Sequence, residues 1–388
     1  MKTCLIPLAV RSLAAVLVLT FAPALRAAPG DSGIGTGPPP PLLPPLFQPL
    51  GFLSGTPFQS SNASALSANG RVVVGDGYRT NFNYHCAFRW TQPGGMVPIV
   101  TTGDVSYARG VSSNGAVVVG WRHTPVGAFR WISGTGANSL PTGSQYGQLA
   151  FAASADGNVI VGMHNWYGTE FDVAVKWVGN GGPQFLGLLP GGDSSRALAV
   201  SADGSAVVGH GTTDSDLYEL RRAFRHTSAT GLVSLGDLPG GLVHSSATGV
   251  SGDGDVVTGF GTTGSTSNDN EAFLWMPRTG MVGLGQPLYG VKSKGLAISP
   301  AGTIIVGSAR PILSPDTAAI IWDADHGMRW LKPILTAQYG LTSALQGWTL
   351  TSAVGVVDSG SYVYLAGNGV NPAGKAEAWW ARLPGPLQ

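Results

Sequence analysis

Histidines, tyrosines, tryptophans and carboxylates gather in a few short stretches of this chain, each soon after a glycine that closes an apolar run. The stretches hold Tyr84 and His85, Trp121 and His123, Trp166 and Tyr167, His210 with Asp214, Asp216 and Glu219, and Asp269. Such residues suit recognition: the rings offer apolar area with a polar handle, and imidazoles and carboxylates make directional hydrogen bonds. Their spacing carries no catalytic motif, for the chain has no nucleophile elbow, HExxH, Walker loop or CxxC. Asp214, Asp216 and Glu219 cluster as calcium ligands would, but without the regularity of an EF-hand. No metal and no cofactor is expected. A hydrolytic site assembled from several stretches stays open, because an acid and a base need no proximity in sequence.

The elements that would position these residues repeat seven times. One copy reads Ala199-Val-Ser-Ala-Asp-Gly-Ser-Ala-Val-Val-Gly209, followed by Arg222-Ala-Phe-Arg-His226. The serine recurs at Ser67, Ser112, Ser154, Ser201, Ser251 and Ser299, and a closing glycine follows each at Gly75, Gly120, Gly162, Gly209, Gly259 and Gly307. A looser seventh copy closes on Gly367, and the steps between closing glycines are 45, 42, 47, 50, 48 and 60 residues. Such a period marks a propeller or solenoid, in which no unit can bury its own apolar face.

Each copy reads as four short strands. A first strand such as Ala197–Ser201 meets a second, Ser205–Gly209, across an Asx-Gly turn, the strongest short-range hairpin signal. A longer polar loop leads to the third strand (Ala87–Trp90, Ala128–Trp131, Ala223–His226), and a Gly-bearing turn leads to the fourth (Leu232–Leu238). The last copy lacks a fourth strand, whereas Phe47–Leu53 is an orphan fourth strand ahead of the first copy. The expected fold is therefore an all-β, seven-bladed propeller of four-stranded antiparallel blades over residues 47–384, its N-terminal strand joining the last blade.

In such a ring the loops after the second and fourth strands share one face, which makes the variable loops candidates for a recognition surface. They serve equally as solvated connections. The repeated serines are expected to bond nearby backbone, and Trp90, Trp131, Trp177, Trp275, Trp322 and Trp380 to pack between blades rather than hold sugars.

The phrase Leu-Pro-Gly-Gly, then Val-Ser-x-Asp-Gly-x-x-Val-Val-Gly, Arg-Ala-Phe-Arg and Gly-x-Val-x-Leu-Gly is carried by Leu189–Gly209, Arg222–Arg225 and Gly231–Gly241. It resembles the HAF family of extracellular bacterial repeats, over about residues 47–384. The family's His-Ala-Phe is replaced here by Cys86-Ala-Phe, Gly127-Ala-Phe, Arg222-Ala-Phe and Glu271-Ala-Phe. The resemblance implies a secreted or surface-exposed protein and brings no catalytic residues.

Residues 1–28 read as a secretory signal peptide: Lys2 and Arg11 flank an apolar run, Leu13–Leu25, and small residues follow. Residues 29–46, with Pro38–Pro41 and Pro44–Pro45, read as an extended linker. The expected mature chain keeps one cysteine, Cys86, so a disulfide framework is excluded and a buried, inert thiol is expected. Charged residues are 11% of the chain and the formal net charge is +1, which lacks the basic stripe a nucleic-acid binder needs. No later stretch is long and apolar enough to span a membrane as a helix. The sequence reading is a secreted or surface-associated binding module for an unidentified extracellular glycan or protein, with a polysaccharide hydrolase or lyase as the alternative.

Overall fold

Alternation of apolar and small residues around the repeated turns gives 28 short strands in the computed structural model, which also holds one helix among the described residues. It describes residues 41–54, 59–79, 84–100, 105–142, 147–165, 171–213, 220–264 and 269–387. The signal peptide and all of the linker before Pro41 lie outside the described residues. Leu42–Gln388 clusters as one unit.

β1 (Leu46–Pro49) comes first and stands apart from the repeat. Blade 1 is β2 (Ser60–Leu66), β3 (Val72–Arg79), β4 (Tyr84–Thr91) and β5 (Gly95–Pro98). Blade 2 is β6 (Ser106–Val111), β7 (Val117–His123), β8 (Val126–Ile132) and β9 (Gly136–Ser139). Blade 3 is β10 (Gln148–Ala153), β11 (Val159–Asn165), β12 (Asp172–Val178) and β13 (Gln184–Gly187). Blade 4 is β14 (Ser195–Val200), β15 (Val207–Thr212), β16 (Arg221–Thr227) and β17 (Gly231–Gly236). Blade 5 is β18 (Ser245–Val250), β19 (Val257–Thr262), β20 (Asn270–Met276) and β21 (Gly280–Gly283). Blade 6 is β22 (Gly290–Ile298), β23 (Ile304–Pro311), β24 (Ala318–Asp323) and β25 (Gly327–Trp330), followed by α1 (Leu331–Ala337). Blade 7 is β26 (Thr349–Asp358), β27 (Tyr362–Val370) and β28 (Ala376–Pro384).

The result is a seven-bladed β-propeller of four-stranded antiparallel sheets, with β1 as the outer strand of blade 7. β1 pairs with β28 from Leu46–Arg382 to Pro49–Trp379, and Leu50 N–H continues the ladder to Ala378 O at 2.9 Å. The closure anticipated from the orphan strand is thus present, beginning one residue earlier, at Leu46.

The repeated phrase is an interface code. On β4, Phe88 and Trp90 pack against Trp380 and Ala366 of blade 7, while Ala87 packs with Val72 and Val74 against Val118 and Phe129 of blade 2. Phe88, Phe129, Phe224 and Phe273 are fully buried, each contributing about 1.5–3 kcal/mol of transfer free energy. The arginine of the phrase reaches into the next blade: Arg89 Nε donates to Gly115 O (3.0 Å) and Arg225 Nε to Gly254 O (2.9 Å). Trp90, Trp131, Trp177, Trp275 and Trp380 pack between blades as expected, with Trp90 and Trp380 rings 5.7 Å apart.

The serines also do what their place in the turn demands. Ser201 Oγ donates to Asp203 Oδ1 (2.6 Å) and accepts from Ala206 N–H (2.9 Å), and Ser67, Ser112, Ser154 and Ser251 repeat the pattern. Neighbouring turns are linked in turn by backbone bonds of 2.8–3.0 Å: Asn69 to Ser113, Ser113 to Ala155, Ala155 to Ala202, Ala202 to Gly252 and Gly252 to Pro300. Proline has no N–H, so the series stops there.

The closing glycines do not end the second strands. They lie inside them, opposite a β-bulge on the inner strand of every blade, as at Ala63/Ala65, Ala108/Gly110 and Ala197/Ala199. A Cβ built on Gly75, Gly120, Gly162, Gly209, Gly259 or Gly307 would lie 1.9 Å from an inner-strand carbonyl oxygen, and one on Gly367 2.1 Å. Because the second strands run on past these glycines, Trp121, His123 and His210 lie on strands and not in the loops expected for them, and Tyr84 and His85 do so because the third strand of blade 1 begins at Tyr84. The long step to Gly367 holds α1, which sequence reading missed; Leu331, Ile334 and Leu335 bury it against the blade 6–7 core. Pro333 sits in its first turn, where a missing N–H costs little.

Replacing Gly209 by alanine should destabilise the protein by about 3 kcal/mol or more, since rigid backbone must give way. A thermal midpoint equal to that of the wild type would show that the close approach is not limiting.

Candidate functional site

The residue just after each closing glycine differs in every blade: Asp76, Trp121, Met163, His210, Phe260, Ser308 and Asn368. These positions lie on the second strands, on the side of the variable loops, and several meet the inner strand of the next blade. The His210 ring nitrogen Nδ1 lies 2.9 Å from Ser246 Oγ. The Lys294 ammonium lies 4.4 Å from the Phe260 ring centroid. Asn368 Oδ1 accepts from Ala63 N–H at 2.7 Å.

The densest junction joins blades 1 and 2. Asp76 is 5% exposed, and its Oδ2 lies 2.8 Å from His85 Nδ1. The His85 ring lies between Tyr78 (4.7 Å) and Tyr107 (4.6 Å), Tyr107 stacks on Trp121 (4.3 Å, 22°), and Trp121 meets His123 (5.3 Å). Five rings from two blades thus form one column. Rings packed on one another have lost their rotamer freedom before any ligand arrives. The column presents edges: the Tyr107 hydroxyl, the Trp121 indole N–H and His85 Nε2 make no hydrogen bond to another described residue. Burial and the nearby Asp76 charge raise the Tyr107 phenol above its ordinary pKa, and Arg109 opposes them.

Beside the column the seven bulges open onto the axis. Their extra residues are Ser64, Arg109, Phe151, Leu198, Thr248, Leu296 and Val354, and all seven line a central cavity of about 210 Å³. Among the described residues lining it, Arg109 alone is charged. A second hollow of about 360 Å³ lies between blades 6 and 7, with Trp330 and Trp348 in its wall. The amine of Lys332 there is spent on Trp348 O at 2.6 Å.

The remaining candidates are dispersed. Tyr84 lies on the opposite face of β4 from His85, packed toward the blade 7–1 core. His210 belongs to the blade 4–5 junction, where burial first, then Arg221, Arg196 and His244, push its pKa down to about 3. It is a neutral imidazole at neutral pH. Asp269 lies 3.8 Å from Lys292 at blades 5 and 6. Burial and Lys292 also lower the pKa of Lys294. Trp166, Tyr167, Asp214, Asp216 and Glu219 lie outside the described residues. No cluster of three or more metal-ligating side chains occurs among the described residues.

Asp76, Tyr78, Tyr107 and Arg109 were not anticipated. The one variable slot inside an otherwise repeated phrase is the signal that finds Asp76, while Tyr78, Tyr107 and Arg109 lie outside it. Cys86 is 5% exposed, and burial pushes its thiol up to about 11, outweighing the Tyr84 hydrogen bond and the Arg79 charge.

No family model matches the chain and no curated protein matches it by sequence. Among solved structures it is similar to an oligogalacturonate lyase in complex with manganese, with a TM-score of 0.52 and 12% identity over 89% of this chain and 98% of that one. It is also similar to a puromycin hydrolase S511A mutant complexed with PGG, with a TM-score of 0.51 and 13% identity over 83% of this chain and 53% of that one. A putative TolB from Agrobacterium tumefaciens gives 0.45 and 13% identity over 81% of this chain and 99% of that one. At these identities the likeness is one of fold. No helix among the described residues is long and apolar enough to cross a membrane.

Two outcomes follow. Native Cys86 should resist stoichiometric thiol labelling at neutral pH and react fully in denaturant; rapid native labelling would contradict its burial. Because the folded pKa of His210 lies below the unfolded value of about 6.5, the unfolded chain binds the extra proton on acidification. Its contribution is complete above about pH 6.5 and is lost as pH falls toward 3. Between pH 7 and 4 the thermal midpoint should fall less in His210→Gln than in the wild type, and parallel curves would exclude this role.

Proposed function

We propose that the protein is a secreted or surface-associated binding module that takes an extracellular glycan at the axial rim between blades 1 and 2. One observation carries this reading: the five-ring column from Tyr78 to His123, in which the Tyr107 hydroxyl, the Trp121 indole N–H and His85 Nε2 make no hydrogen bond to another described residue. Stacked, amphipathic rings supply contact area at low entropic cost, and their donors suit the hydroxyls of a sugar. The resemblance to extracellular HAF repeats supports the location, as does the signal-peptide pattern of residues 1–28.

A second reading rests on the His85–Asp76 pair. A carboxylate on Nδ1 orients an imidazole so that Nε2 can act as a base, as hydrolase and lyase chemistry requires. The fold neighbour that is an oligogalacturonate lyase keeps that class of chemistry in view. The binding reading is preferred because the described residues place no second carboxylate or other acid–base partner against His85 beyond the tyrosine rings that stack on it.

A glycan array with the secreted chain tests both. Binding is expected, and Trp121→Ala should weaken it roughly tenfold or more, as loss of an aromatic anchor does, with little change in thermal midpoint. If no glycan binds, while a polysaccharide digest shows turnover that Asp76→Asn abolishes, the second reading replaces the first.

A further inference from the structure

Position 109 is one of seven equivalent positions, and the other six show what the fold needs there. Ser64, Phe151, Leu198, Thr248, Leu296 and Val354 occupy the same bulge in their blades, and none is charged. The bulge geometry therefore makes no demand for a cation, and a cavity lined otherwise by neutral side chains penalises one. The Arg109 guanidinium lies 5.1 Å from the Tyr107 ring centroid, at the column between blades 1 and 2. It makes no hydrogen bond or ion pair to any described residue. The motif arginines Arg89 and Arg225, by contrast, spend theirs on turn carbonyls. The neighbouring acid, Asp76, is taken up by His85.

A half-buried guanidinium held by a ring and left with its donors unspent is prepared for an anion of matching geometry. The planar fork of arginine fits a carboxylate with two parallel hydrogen bonds. We propose that the cavity mouth between blades 1 and 2 binds a uronate-bearing glycan, its sugar carboxylate on Arg109 and its hydroxyls on the edges of Tyr107, Trp121 and His85. This inference rests on the glycan-binding reading above and narrows it to an acidic sugar.

Calorimetric titration of the secreted chain with trigalacturonate, its methyl ester, a neutral trisaccharide and a sulfated trisaccharide tests it. Trigalacturonate should bind, and esterification or Arg109→Gln should each weaken binding by about tenfold to a hundredfold, the range for losing a hydrogen bond to a charged group. Arg109→Lys should restore only part, because an ammonium lacks the fork. Arg109→Leu, which copies the residue of blade 4, should keep the wild-type thermal midpoint, separating lost binding from lost folding. Equal affinity for acid and ester, or equal weakening of acidic and neutral sugars by Arg109→Gln, would overturn the uronate assignment while leaving glycan binding intact. Binding of the sulfated sugar alone would overturn it too. Failure of every sugar here and on the array would remove the glycan reading itself.

Discussion

Everything in this molecule depends on a close approach between two backbones. In each blade the second strand presses a glycine onto a carbonyl of the inner strand, at a distance that leaves no room for a side chain. The inner strand accommodates the contact by bulging, and the bulge turns one extra residue toward the axis. The same contact thus shapes the blade and makes the lining of the cavity. It also frees the residues at the bulge from the alternation that governs the rest of the strand, so that they can be chosen for what they do at the axis.

Charge is handled with economy around this core. Most motif arginines, turn aspartates and serines are tied to backbone groups in their own or the next blade. Such bonds satisfy turn carbonyls and amides that would otherwise be buried without partners. Against that background the ring column and its neighbouring guanidinium differ in kind. They are ordered by stacking, yet the Tyr107 hydroxyl, the Trp121 indole N–H and the Arg109 guanidinium make no hydrogen bond to another described residue. That contrast separates residues that hold the ring together from residues that the ring holds in place.

The architecture was legible because its causes are local and repeated. Asx-Gly turns recur in five copies, the serine at the same place in six, and the alanine and phenylalanine of the third strand in four, each stating one contact. The orphan strand at Phe47 could be counted against the strand missing after Trp380. What escaped was geometry that one sequence position cannot express. A bulge leaves no residue signature beyond the glycine opposite it, so the closing glycines passed for strand ends and the axial role of Arg109 stayed hidden. His85 and Trp121 were found, but Asp76, Tyr78 and Tyr107 were not, since they come together only across strands or blades. α1 was missed because Pro333 in its first turn masks a segment whose helicity comes from packing.

The strand that closes the ring has a consequence for how the chain comes to be folded. β1 is the first strand made and β28 the last, and their blade is stitched by contacts such as Arg382 to Pro44, 338 residues apart. Closing so long a loop delays that step relative to the local hairpins. Until β28 is made, six blades can assemble in sequence while the seventh waits with an open edge. Before that step the molecule is an arc with two unpaired ends, and the ring exists only once β1 and β28 have met.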